Sequence, residues 1–144
     1  MFNFPMPHVD ELIYSTVARA GIRLALTSPK QLLDEVFQNR KVSATVDLPS
    51  HLDKILQWLP SAHYDVMYLS NHHTLFPLYA FFIPEERRQD CLRFMQGASH
   101  GALHLTVGLN ASKVRIPEYL RYCPQCFDDQ LQIYGEWYWS RLWQ

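Results

Sequence analysis

The feature that most limits how this chain can fold is the shortness of its apolar stripes. Hydrophobic residues recur at helical spacing, but each run is soon cut by proline, serine or glycine. Leu12, Ile13, Val17, Ala20 and Leu24 form the first stripe. With Asp10 and Glu11 near its positive end, it predicts a helix from just after Pro7 to about Leu24. Ser28-Pro29-Lys30-Gln31 then offers an N-cap, a proline in the first turn and a glutamine three residues on. Leu32, Leu33, Val36 and Phe37 follow as the buried face of a second helix. Val42, Ala44 and Val46 alternate within a polar connection, which predicts at most a short extended piece. Ser50 and Asp53 are spaced as a capping box for a third helix with Leu52, Ile55, Leu56 and Leu59 inward, ended by Pro60-Ser61. A fourth fits residues 62–71, with Val66 and Leu69 facing the core.

The segment Thr74-Leu75-Phe76-Pro77-Leu78-Tyr79-Ala80-Phe81-Phe82-Ile83-Pro84 is too apolar for an ordinary surface loop, while its two prolines argue against a regular helix or a central strand. It is expected to plug the core or cover a groove, with Phe76 and Tyr79 serving either as core filling or as part of a docking surface for a partner. Pro84-Glu85-Glu86 opens a fifth helix and Gly97 closes it. A glycine turn and a further helix from His100 to about Leu109 would complete a helix-turn-helix outline. Beyond Pro117 comes a Cys-x-x-Cys knuckle, then a short helix from Phe127 to Tyr134 ended by Gly135. The expected fold class is all-α: a small helical domain with helix-turn-helix character over residues 1–110, followed by the first half of a zinc-finger motif over residues 111–144.

Size permits this. A chain of 144 residues with 48% hydrophobic content can bury an ordinary core, and one domain plus an appendage is the natural count. The formal net charge of −1 gives no global pull toward nucleic acid or membrane, so any basic surface is local. Charge is unevenly placed: residues 1–86 hold six Lys/Arg against nine Asp/Glu, whereas residues 87–121 hold six against two. The six are Arg87, Arg88, Arg93, Lys113, Arg115 and Arg121, which are either a solvated face or a set of phosphate contacts to DNA.

The knuckle is Arg121-Tyr122-Cys123-Pro124-Gln125-Cys126, and it supplies two of the four thiolate or imidazole ligands of a structural zinc. No cysteine follows it. Were Gln144 the natural end, His100 and His104, at i, i+4 spacing, would be the best candidates to complete the site. The tail from Gly135 to Gln144, with three tryptophans and no polar fringe, instead reads as cut in mid-element, so that zinc belongs to a longer protein. A reduced surface Cys-x-x-Cys is the bland alternative, and a thioredoxin-like redox pair needs a βαβ pattern that this sequence lacks. Three cysteines with one close pair at metal spacing point to a reducing compartment. The opening residues resemble no signal peptide and no apolar run nears the ~20 residues that cross a bilayer, so the expected location is cytoplasmic.

No nucleophile elbow, phosphate-binding loop, dinucleotide fingerprint or acid set for a two-metal nuclease is present, and Gly101-Ala102-Leu103 between His100 and His104 lacks the glutamate of a zinc hydrolase. The expectation is a non-enzyme. Asp10, Glu11, Ser15 and Arg19 present two readings: a partner-binding patch, or helix-dipole compensation with local side-chain contacts.

Three stretches together resemble the TniQ/TnsD family of target-site selectors of Tn-type bacterial transposons. Pro5-Met6-Pro7-His8-Val9-Asp10-Glu11-Leu12-Ile13-Tyr14-Ser15 with Arg19 is similar to the family's opening signature. His73-Thr74-Leu75-Phe76-Pro77-Leu78-Tyr79 is similar to its Leu-Phe-Pro segment, and the knuckle with the aromatic tail to the start of its zinc-finger region. The resemblance is nearest to the TnsD type, which selects a fixed chromosomal site. It implies a protein that binds double-stranded target DNA and recruits the transposon's AAA+ ATPase regulator. No membrane and no small-molecule substrate are implied. Cys123 and Cys126 match the family's first ligand pair, and nothing in this sequence matches its second. The alternative is an interaction module that docks the ATPase alone, with DNA read by residues beyond this sequence.

Overall fold

The computed structural model describes residues 4–43, 45–99, 101–109, 122–134 and 138–140. Among these it is all-helical: α1 (Ile13–Arg23), α2 (Pro29–Phe37), α3 (Leu52–Leu56), α4 (Val66–His72), α5 (Phe76–Ala80), α6 (Glu85–Gln96), α7 (Ala102–Thr106) and α8 (Pro124–Tyr134). The only extended pairing among the described residues is an isolated antiparallel bridge between Glu11 and Ser140.

The stripes meet in one core. Ile13, Val17 and Ala20 of α1 close on Val36 and Phe37 of α2 and on Leu52 and Ile55 of α3. Leu69, Phe76, Cys91, Met95 and Leu103 continue the same cluster through α4 to α7. Each fully buried aliphatic side chain of this kind contributes about 1.5–3 kcal/mol. α1 and α2 approach closely because Gly21 leaves room for Leu32: a Cβ there would lie 3.0 Å from Leu32 Cδ2.

Several expected elements take different bounds for identifiable reasons. α1 begins at Ile13 rather than just after Pro7, because Asp10 adopts a left-handed backbone (φ 57°) and Glu11 is committed to the Ser140 bridge. α2 starts after Ser28 as expected, with Pro29 in its first turn, and ends where Gln38 turns left-handed. α3 is only five residues, and Ser50 does not cap it: its hydroxyl meets His51 Nδ1 at 2.9 Å instead. The cap of α4 is Asp65, whose carboxylate accepts from Tyr68 N at 2.6 Å. Val42 and Val46 form no strand among the described residues, with Val42 buried in the core, and Ala44 lies outside the described residues.

Phe76–Ala80 is a helix, contrary to the expectation that proline excludes one. Pro77 sits in its first turn, where the missing N–H is one the helix could not have satisfied anyway. α6 runs between Pro84 and Gly97 as expected. The helix expected over residues 100–109 is shorter, five residues that begin after the left-handed Gly101 (φ 80°). α8 starts at Pro124, so Cys126 lies in its first turn. No described helix is long and apolar enough to cross a membrane.

Candidate functional site

The first family-like stretch folds into a buried polar node. Glu11 is fully buried, and its carboxylate accepts three hydrogen bonds: from Ser15 Oγ at 2.8 Å, from the His8 backbone N at 2.9 Å and from Arg19 Nη1 at 3.1 Å. Arg19, also buried, donates onward to the Met6 carbonyl from both terminal nitrogens. His73, 62 residues away, places Nδ1 2.8 Å from the Glu11 carbonyl, and its own carbonyl accepts from Ile13 N. The ion pair thus closes the turn at residues 6–11 over the start of α1.

The same node holds residues 138–140. Leu12 N donates to the Trp139 carbonyl at 2.8 Å, Trp139 N donates to Ser15 Oγ at 2.9 Å, and the Tyr138 hydroxyl donates to the Val9 carbonyl at 3.2 Å. The His8 ring stacks on Tyr138 at 4.7 Å between centroids. Burial raises the Glu11 carboxyl above the usual carboxylate range, and the His8 N–H, the Arg19 charge and the Ser15 hydroxyl oppose that rise. Of the three residues expected as a partner-binding patch, Glu11 and Arg19 are buried against each other and Asp10 is partly exposed. Dipole compensation is not their role, since no acid lies in the first turn of α1. Sequence inspection missed His73, Tyr138 and Trp139 as members of this node, because the pairings span 62 to 129 residues.

The second stretch splits across the surface. Phe76 is buried, Tyr79 is half-buried, and Thr74 links its hydroxyl to the Ser70 carbonyl at 2.6 Å and to Phe76 N at 3.0 Å. Burial, with Asp47 close by, pushes the Tyr79 hydroxyl up to about 12. The opposite side of the same short helix and the turn that follows it are open: Leu78 is 56%, Phe81 81% and Phe82 77% exposed, beside Met67 at 51% on α4. A hollow of about 500 Å³ adjoins them, floored by Phe76, Ala80 and Leu92 and rimmed by Glu85 and Arg88. Neighbouring apolar side chains left open in this way mark an interaction surface more often than chance exposure does. The segment both plugs the core, as expected, and presents a face outward.

The arginines of α6 divide. Arg88 donates to the Ala80 carbonyl at 3.0 Å and pairs with Glu85, so it ties α5 to α6. Arg93 pairs with Asp90, while Arg87 is exposed and has no ion-pair partner among the described residues. Because α6 includes Glu85 and Glu86, it carries three acids against three arginines. Lys113, Arg115 and Arg121 lie outside the described residues.

Cys123 and Cys126 are half-buried, with the Cys123 carbonyl accepting the first helical bond of α8, from Phe127 N at 3.0 Å. The Cys126 backbone N–H and thiol lower the Cys123 thiol below its usual range, as suits a metal-binding or reactive thiol. The pair fits half of a tetrahedral zinc site. No group of three or more His, Cys, Asp or Glu able to hold a metal occurs among the described residues. His104 pairs instead with Asp47 at 2.8 Å, and His100 lies outside the described residues.

An all-helical domain whose opening signature forms a buried clamp and whose Leu-Phe-Pro segment forms a half-open helix belongs to the TniQ family, whose model matches residues 2–144. Among individual proteins, the chain is 52% identical over 144 residues to the Transposon Tn7 transposition protein TnsD of Escherichia coli. That match covers 99% of this chain, which spans 28% of the length of TnsD.

Proposed function

We propose that this chain serves in transposition target-site selection, and that it supplies the surface on which the transposon's AAA+ ATPase regulator docks. Kinship with TnsD supports the role. The observation that supports this surface is the open apolar side at α5, where Leu78 of the family-like segment and Phe81 and Phe82 just beyond the helix are exposed. The chain acts as a cytoplasmic adaptor, not a catalyst. Attachment-site DNA is bound as well, with Arg87 the exposed α6 arginine without an ion-pair partner among the described residues and Lys113, Arg115 and Arg121 added from the basic run of the sequence, while Arg88 and Arg93 contribute less because each already has an acidic partner. Cys123 and Cys126 furnish two zinc ligands in the longer protein.

The test is retention of the cognate ATPase regulator on the immobilised 144-residue chain without DNA, with the Phe81→Ser/Phe82→Ser variant alongside. Retention should be lost in the variant while its unfolding midpoint stays put, because both rings are exposed. Equal retention by both proteins would take the docking surface away from α5. Binding to duplex DNA that weakens steeply with salt and falls on Arg87→Ala would favour the added DNA contact.

A further inference from the structure

A polar cavity of about 440 Å³ opens between residues 39–51 and the turn from α6 to α7. Neither the docking surface nor the DNA contacts proposed above draw on its residues. Lys41, Ser43, Ser50, His51, Ser99 and His104 line it, and no carboxylate does among the described residues. The nearest acid, Asp47, is engaged: Oδ1 accepts from Leu48 N at 2.8 Å, and Oδ2 lies 2.8 Å from His104 Nε2. The Tyr79 hydroxyl lies close to Asp47 as well. This fixes the His104 ring by one nitrogen and leaves Nδ1 without a hydrogen-bond partner among the described residues.

His51 repeats the arrangement from the opposite wall. Its Nδ1 meets Ser50 Oγ at 2.9 Å, and Nε2 has no hydrogen-bond partner among the described residues. The residue is also held in a left-handed backbone, φ 61°, with its N–H donated to the Gly97 carbonyl at 2.9 Å. A non-glycine residue adopts that conformation at a cost, and such strain concentrates at binding sites. Lys41 brings a full positive charge with no ion pair among the described residues. Leu48 and Leu103 give the cavity apolar walls, and its volume exceeds what a lone inorganic anion fills.

We propose that this cavity binds a phosphate ester, with Lys41 and His51 on the phosphoryl oxygens, hydroxyls of Ser43 and Ser99 beside them, the His104 ring in the opposite wall, and the organic portion against Leu48 and Leu103. A divalent cation is disfavoured, because no cluster of three ligating side chains occurs among the described residues. A simple carboxylate would use fewer of the donors than the cavity offers, whereas a phosphate presents three or four acceptor oxygens to them. The ester is either a free mononucleotide or a nucleic-acid backbone phosphate, which share this chemistry.

The experiment follows the ring proton signals of His51 and His104 by NMR during titration with deoxyadenosine 5′-monophosphate, inorganic phosphate and a short DNA duplex. The monophosphate is expected to move both signals saturably. Lys41→Met and His51→Asn should raise its Kd at least about tenfold with the unfolding midpoint unchanged, asparagine being tolerant of the left-handed backbone. Tighter binding of the duplex, lost in the same variants, would identify the backbone phosphate as the source; a response to the monophosphate alone would identify the free ester. No saturable shift from any probe in the millimolar range, or a Kd unchanged in both variants, overturns the proposal.

Discussion

Removing either partner of the Glu11–Arg19 pair should be costly, but the two removals should differ in how they depend on pH. Glu11→Ala leaves the Arg19 guanidinium in a buried site without its carboxylate, with the Met6 carbonyl still accepting from both terminal nitrogens. A guanidinium cannot shed its proton, so the stranded charge costs about 3–5 kcal/mol. Against a typical domain stability of about 5–15 kcal/mol, that is a large fraction. Arg19→Met leaves a carboxyl that burial already raises above its ordinary value, and loss of the cation raises it further. That carboxyl can escape its penalty by taking up a proton.

The sign follows from linkage. A carboxyl whose folded pKa exceeds its unfolded value contributes stability fully below the unfolded value, 4.5 here, and loses it as pH rises through the folded value. Arg19→Met should therefore approach the wild type on the acid side and fall away toward neutral pH, whereas the deficit of Glu11→Ala, which lacks the carboxyl, should be largest on the acid side and narrow toward neutral pH as the wild type loses that contribution. Urea unfolding followed by tryptophan fluorescence reads both, with an unchanged slope confirming that the denatured state is unaltered. At a urea slope of roughly 2 kcal/mol per molar, the Glu11→Ala midpoint should drop by about 1.5–2.5 M. A drop equivalent to less than about 1 kcal/mol, or parallel pH profiles for the two variants, would refute the argument that this pair is buried and mutually dependent.

Two further outcomes test the way residues 138–140 are held and the state of the thiols. Ser15→Ala removes the hydroxyl that donates to Glu11 and accepts from Trp139 N, so the Leu12 amide, bonded to the Trp139 carbonyl, should exchange with solvent faster. The expected stability loss is about 1–3 kcal/mol, and protection of Leu12 equal to wild type would count against the clamp. Alkylation near pH 8 should modify Cys123 before Cys91, because burial pushes the Cys91 thiol up to about 11 while Cys123 is lowered. Labelling of Cys91 at the rate of Cys123 in the folded protein would contradict the burial of α6.

What could be read from the sequence was local. α2 and α6 were legible because Ser28-Pro29 and Pro84-Glu85-Glu86 carry their start signals within a few residues. α5 was not, because the same Pro77 that forbids a helix interior is allowed in a first turn, and only the fold says which position it occupies. Glu11 and Arg19 were harder still. An acid and a base eight residues apart read as surface groups until Ser15, His73 and Trp139 close over them, and two of those three come from distant chain. The consequence reaches beyond bookkeeping of helices. The Asp-Glu, Ser and Arg positions that most resemble the family's opening signature do structural work here, holding residues 138–140 against the start of α1. A signature that marks a clamp is a poor guide to where a partner binds. The side chains that the clamp and core leave exposed are Leu78 of α5 and Phe81 and Phe82 just beyond it, beside a helix that buries Phe76 and Ala80, and it is on these that the proposed docking surface rests.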